Sequence, residues 1–201
     1  MCGIYLTNIP YKEDLIKAKL ESISFRGPDY TGIKKIQELS LGHLRLSILD
    51  LDARSHQPMV YEGLHIVFNG EIYNYRSLRN DLIQKGISFT TQSDTEVILK
   101  LYEEEGEQSF KKLDGMFAFS IYDKRKKKVF VARDFFGEKP LYYTQTDKKF
   151  IWASELKSLL KVLPTKPKIS ALGLNFFLRL TYIPAPHTIY DSIHKLEANH
   201  F

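Results

Sequence analysis

An α+β layered sandwich is the fold predicted by these 201 residues. Two helices appear inserted among at least seven strand-like segments, and their uneven order does not match strict βαβ alternation. With 43% hydrophobic and 26% charged residues, the chain can build one sizeable core, or a domain with an appendage.

Residues 2–8 read as a strand, and Leu15, Ile16, Leu20 and Ile23 recur at helical spacing until Gly27-Pro28-Asp29 breaks the pattern. From Leu41 to Leu49 the residues alternate, with Leu44, Leu46 and Ile48 on one face and His43, Arg45 and Ser47 on the other. Residues 64–68 form an apolar strand that Asn69-Gly70 should stop, as a tight turn would. Leu78, Leu82 and Ile83 mark a helix ending near Gly86. Ser93-Asp94-Thr95-Glu96 has capping-box spacing ahead of a second helix carrying Val97, Ile98, Leu101 and Tyr102. A hairpin over 116–132, strands at Pro140–Tyr143 and Phe150–Ala153, and a short helix around Glu155–Leu160 complete the core, expected to span residues 1–162. Pro164, Pro167, Pro184 and Pro186 punctuate residues 163–201, which read as a connector with one helix, Ala171–Leu180, capped by Ser170.

The net charge of +5 raises nucleic-acid binding, with Lys124-Arg125-Lys126-Lys127-Lys128 as its best support. That run lies between two strand-like segments and reads more simply as a solvated hairpin turn, so no nucleic-acid partner is expected. No apolar run approaches the roughly 18 residues of a membrane span, and no charged-then-apolar leader is present. A single cysteine excludes an internal disulfide. These features predict a soluble, cytoplasmic protein in a reducing compartment. Paired CxxC, HExxH and glycine-rich phosphate loops are absent, so no metal or cofactor is expected in this chain.

That lone cysteine is Cys2. Removing the initiator Met1 would leave one residue carrying a thiol and a free α-amine, a nucleophile beside a base whose ordinary pKa is about 7.7–8.0. A cysteine can also reach position 2 by accident. His43 offers a Cys/His pairing, although a histidine on a strand face is more often a hydrogen-bonded core residue.

Met1-Cys2-Gly3-Ile4, Arg26-Gly27-Pro28-Asp29, His43-Leu44-Arg45-Leu46-Ser47-Ile48-Leu49-Asp50, Phe68-Asn69-Gly70-Glu71-Ile72-Tyr73-Asn74 and Ser93-Asp94-Thr95-Glu96 stand in that order along the chain. Asp114-Gly115-Met116-Phe117-Ala118-Phe119, Arg133-Asp134, Gly137, Lys139-Pro140-Leu141-Tyr142-Tyr143 and Ala153-Ser154-Glu155 follow. Together these blocks resemble the glutaminase domain of glutamine-hydrolysing asparagine synthetases. The resemblance implies a class II glutamine amidotransferase with the four-layer αββα sandwich of N-terminal-nucleophile hydrolases. It also implies that Cys2 attacks glutamine, that Asn69 and Gly70 form the oxyanion hole, and that Arg45 grips the substrate carboxylate. Glu71 and Asp94 would receive the substrate ammonium, Leu46 and Leu49 would belong to the same pocket, and Arg26 would orient Cys2 or anchor its own turn.

Two departures stand out. Phe25 occupies a position usually held by histidine, and Glu197-Ala198-Asn199 replaces a proline-glycine approach to His200. The serine-glycine-glycine pyrophosphatase loop of the synthetase half is missing. The resemblance therefore implies that ATP and Mg belong to a C-terminal synthetase domain outside this chain, where ammonia would amidate aspartate. Alternatives are amidation of a sugar acid in surface polysaccharide synthesis, or a non-catalytic glutamine-binding module. A homodimer is a further expectation.

Overall fold

The computed structural model describes residues 1–10, 13–146, 148–160, 163 and 165–201. The expected boundary at residue 162 and Pro164 lie outside these. Two antiparallel sheets face each other. One has the order β10-β8-β9-β1-β3-β2, where β1 is Gly3–Thr7, β2 Tyr30–Ile36, β3 Leu39–Arg45, β8 Tyr142–Thr146, β9 Lys149–Ala153 and β10 His194–Lys195. The other has the order β4-β5-β6-β7, formed by Met59–Tyr61, Leu64–Ile72, Gly115–Asp123 and Lys128–Arg133.

Strand alternation divides the core into three slabs. Tyr5 and Leu44 pack with Ile16 and Leu20 of α1 (Glu13–Glu21) and Leu159 of α4 (Leu156–Leu160), outside the larger sheet. Leu64, Ile66, Phe68 and Ile72 pack under α2 (Tyr75–Gln84) and α3 (Asp94–Glu105), outside the smaller sheet. Ile4, Leu6, Leu39 and Leu41 meet Val67, Ala118 and Val131 between the sheets. This is the four-layer αββα sandwich. The same alternation aims Cys2, His43, Arg45, Asn69 and Glu71 into the intersheet space, because each shares parity with an intersheet residue on its strand.

Three sequence readings need correction. The strand expected over 41–49 ends at Arg45, where the chain peels away into a loop: the Ser47 N–H donates to the Asp29 carboxylate at 2.7 Å, and Asp50 adopts a φ of 50°. The Asn69-Gly70 pair does not stop its strand. Gly70 pairs with Phe117 inside β5, and its missing side chain matters for packing, since a Cβ there would lie 2.2 Å from the Met116 carbonyl oxygen. Nor is the capping box formed. Ser93 does cap α3, accepting the Thr95 N–H at 3.1 Å, but Glu96 binds the Thr90 and Thr91 N–H groups and Lys100 rather than reaching back.

Other expectations hold. Of the basic run, residues 124–127 are the β6–β7 turn, tied down by Arg125 to Glu103 at 2.5 Å, and Lys128 opens β7. Helix α5 (Ala171–Leu180) begins at Ser170, whose Oγ accepts the Gly173 N–H. At the altered junction, Asn199 takes a left-handed φ of 58°, which asparagine tolerates better than other non-glycine residues.

Candidate active site

A cavity of about 100 Å³ opens between the two sheets at the amino-terminal end of β1. Its lining includes Cys2, Arg45, Leu46, Leu49, Asn69, Gly70, Glu71 and Asp94. Every site residue expected from the sequence reaches it except Arg26, which lies behind Cys2. Met1, Gln57, Met116 and Lys139 also line it, although no signal in the sequence assigns them there.

Cys2 is half-buried one residue before β1. Its Sγ accepts from the Leu46 N–H at 3.4 Å and lies 3.6 Å from the Leu46 carbonyl oxygen. Burial raises the thiol above its ordinary range, while the Leu46 hydrogen bond, the terminal amine and Arg45 pull against that rise. Position 46 is thus a backbone contact to the sulfur.

Arg45 is buried, and its guanidinium donates to the carbonyls of Leu49, Asp50 and Asp52. Three of its five N–H bonds hold the loop, leaving capacity for a further acceptor. Asp50 ties the same loop to the approach to α3, accepting the Gln92 N–H at 2.6 Å.

The facing wall is β5. Phe68, Gly70 and Ile72 direct their N–H groups to the edge left open beyond β4. The Phe68 N–H donates to Gln57 Oε1 at 2.6 Å and the Ile72 N–H to Asp94 Oδ2 at 3.0 Å. Between them, the Gly70 N–H has no loop or side-chain acceptor among the described residues. Beside it, Asn69 is 1% exposed, and its Nδ2 has no acceptor among the described residues. A buried amide donor without a partner is costly, so its orientation toward a cavity is informative.

Asp94 opens α3 while Ser93 caps it, which leaves the Asp94 carboxylate available to the Ile72 N–H and the cavity. Burial pushes its pKa up to about 7, and Glu71 adds to the rise, against the hydrogen bonds from Ile72 and Thr95. Glu71 is also raised by burial, with Lys139 opposing. Lys139 is buried, and its ammonium donates to Met1 Sδ at 3.3 Å. Cations and carboxylates thus share one small cavity, an arrangement complementary to a zwitterion.

His43 belongs to the core. It is fully buried, with Nε2 3.1 Å from the Phe68 carbonyl oxygen and burial pulling its pKa down to about 3. Phe25 is exposed and does not line the cavity. Among the described residues no cluster of three or more His, Cys, Asp or Glu side chains has metal-binding geometry, and no helix is long and apolar enough to cross a membrane.

Gln57 and Lys139 escape a sequence reading for different reasons. Gln57 acts across the fold, joining the Phe68 N–H to Thr95 Oγ1, and nothing local marks it beyond the following proline. Lys139 opens the Lys139-Pro140-Leu141-Tyr142-Tyr143 block, but only the fold brings it beside Met1.

The chain is 42% identical over 206 residues to the glutamine-hydrolyzing asparagine synthetase 1 of Bacillus subtilis (strain 168), a match covering 98% of this chain and 32% of that protein. It is 34% identical to asparagine synthetase 3 of the same strain, covering all of this chain and 34% of that protein. The chain therefore spans about a third of the length of these relatives. The glutamine phosphoribosylpyrophosphate amidotransferase from B. subtilis, solved with ADP and GMP, superposes with a TM-score of 0.67 at 23% identity, over 79% of this chain and 43% of that one, a likeness of fold. The glutamine amidotransferase domain family matches residues 1–201 throughout. This chain, with its intersheet cavity and amino-terminal cysteine, belongs to the glutamine amidotransferase domain family.

Proposed function

We propose that this chain hydrolyses the side-chain amide of L-glutamine, with Cys2 as nucleophile. The observation that carries the reading is that the Cys2 thiol and the buried Asn69 amide, which has no acceptor among the described residues, line one cavity. After loss of Met1, the α-amine of Cys2 takes the thiol proton and Sγ attacks the carboxamide carbon. Asn69 Nδ2 and the Gly70 N–H receive the developing oxyanion. As the C–N bond breaks, the amine returns its proton to the leaving nitrogen, and ammonia departs. Water then cleaves the glutamyl thioester, giving glutamate and restoring the thiol.

Arg45 holds the substrate carboxylate with its remaining donors while fixing the 46–52 loop. Glu71 and Asp94 take the substrate ammonium, whose positive charge favours the ionised form of both acids in the complex. Leu46 contributes through its backbone, and Leu49 through the wall that Arg45 organises.

Relatives bear the name glutamine-hydrolyzing asparagine synthetase, which favours ammonia serving asparagine synthesis. On our reading a C-terminal synthetase domain would amidate aspartate and would be where ATP and Mg bind. The test is direct. Cys2→Ala should reduce ammonia release from glutamine to the uncatalysed level, and the intact mass of active protein should begin at Cys2. Full activity in Cys2→Ala, or in protein retaining Met1, refutes this mechanism.

A further inference from the structure

The Ala153-Ser154-Glu155 block lies over a hundred positions from the nucleophile in sequence and has no role in the proposed chemistry. In the fold it sits directly behind Cys2. Strand β9 pairs with β1, and where β9 ends, Ser154 clamps the start of β1: its Oγ accepts the Ile4 N–H and its own N–H donates to the Ile4 carbonyl, both at 3.0 Å. The next residue is Glu155. One of its carboxylate oxygens, Oε1, receives both Arg26 Nε at 2.6 Å and Arg26 Nη2 at 2.5 Å. The remaining terminal nitrogen of Arg26, Nη1, donates to the Cys2 carbonyl at 3.4 Å.

We infer that Glu155 is a positioning residue for the nucleophile, acting through Arg26 on the Cys2 backbone. Three features support this beyond ordinary surface pairing. Arg26 is buried, so its guanidinium depends on a partner to offset desolvation, and Glu155 is the carboxylate that meets it. Arg26 is also confined at its base, because it ends a short 3-10 turn at Gly27, where a Cβ would lie 2.5 Å from the Leu44 carbonyl carbon. With backbone and tip both held, the Arg26 donor to Cys2 points in one direction.

The third feature is the site's need for precision at a chain terminus. Among the described residues Cys2 has no strand partner of its own, since the β1–β3 register begins at Gly3 with Leu44. Besides the thiol contacts to Leu46, the Arg26 hydrogen bond is the anchor on its carbonyl. Without it, rotation about the Cys2 backbone would move the thiol and the amine together relative to Asn69.

This inference rests on the proposed glutaminase reading, but its test also has a readout independent of that reading. Cys2 is the only cysteine, so iodoacetamide alkylation reports its accessibility and orientation whether or not glutamine is turned over. Glu155→Gln and Glu155→Asp are compared with the parent chain for thermal midpoint, kcat and KM for glutamine, and alkylation rate. In folded Glu155→Gln, kcat should fall about tenfold to a hundredfold, the scale of a misplaced reacting group, with KM within about twofold. Alkylation should change at least about fivefold, and Glu155→Asp, which keeps the charge, should recover part of both losses. If Glu155→Gln does not fold, Glu155→Asp is judged alone by the same split between kcat and KM.

Parent-like kcat and alkylation in a folded variant overturn the role, as does a loss that follows the thermal midpoint equally in both variants. If the parent chain releases no ammonia, the glutaminase reading fails, and the alkylation rates alone decide whether Glu155 positions Cys2.

Discussion

The two walls of the cavity are built in opposite ways. The Cys2 wall is a strand end and a loop, held by contacts from farther along the chain, Leu46 to the sulfur, Arg26 to the carbonyl and Asp29 to Ser47, and by the local grip of Arg45 on three loop carbonyls. The Asn69 wall is the interior of a nine-residue strand, paired with β6 through all its length. Its free edge is braced by Gln57 and Asp94 on either side of Gly70. An amino-terminal nucleophile must sit at a chain end, where the backbone has fewest partners. Hydrogen-bond donors for a developing charge need the reverse, since preorganised dipoles act without reorganising during the reaction. One wall therefore achieves order through buried side-chain donors, and the other through a continuous sheet.

Damage to the two walls should therefore differ in kind. The largest effect is expected on the rigid wall's chemistry. Asn69→Ala removes the buried donor and should lower kcat about 10²–10³-fold, with KM much less affected, in steady-state ammonia-release assays. Similar falls in kcat/KM arising wholly from KM would place Asn69 in ground-state binding instead.

Gly70→Ala tests the wall's packing. Its Cβ would meet the Met116 carbonyl oxygen at 2.2 Å, so β5 and β6 must separate locally. A destabilisation of about 1–3 kcal/mol or more is expected in denaturant unfolding. Unchanged stability would mean that the wall is more compliant than the strand pairing implies.

The smallest effect lies in two acids two residues apart at the start of α3. Asp94 faces the cavity with its pKa raised to about 7, whereas Glu96 is lowered to about 2 by Lys100, Thr91 and Thr90 against the cost of burial. The signs are opposite. Ionised Asp94 costs stability, which is recovered as pH falls from about 7 toward its ordinary value of 3.8. Ionised Glu96 contributes stability that is full above 4.5 and lost as pH falls toward about 2. Thermal midpoints of Asp94→Asn should therefore exceed those of the parent chain more at about pH 8 than at about pH 4. Those of Glu96→Gln should fall short at about pH 6, with the gap closing as pH falls from 4.5 toward about 2. The reverse pattern for Asp94 would show that its hydrogen bonds outweigh its burial.

Much of the site is legible in the chain's residues alone. Cys2, Arg45, Asn69, Gly70, Glu71 and Asp94 are marked by residue type and by ordered blocks, and they converge on one cavity. The helices are legible because apolar spacing and the caps at Ser93 and Ser170 are local signals. What misleads is also local. Asn-Gly carries a turn signature, yet here the glycine serves the close approach of β6, a partner more than forty residues away. The alternation through Leu49 continues past the point where Asp29 and Cys2 draw residues 46 and 47 out of the sheet.

By itself, the sequence determined the two-residue period of the strands, the one thiol and the family to which the chain belongs, because these depend on residue identity and short-range spacing. Only the tertiary structure decided that the even face of β1 and the odd face of β3, side by side in one sheet, look at the odd face of β5 in the other. It also decided that Asn69's amide is left without an acceptor among the described residues and that Glu155 stands behind Cys2. Period alone cannot say which face meets which. That is set by burial of three apolar slabs at once, which joins Ile4 to Val67 and leaves the polar residues beyond them around a shared space.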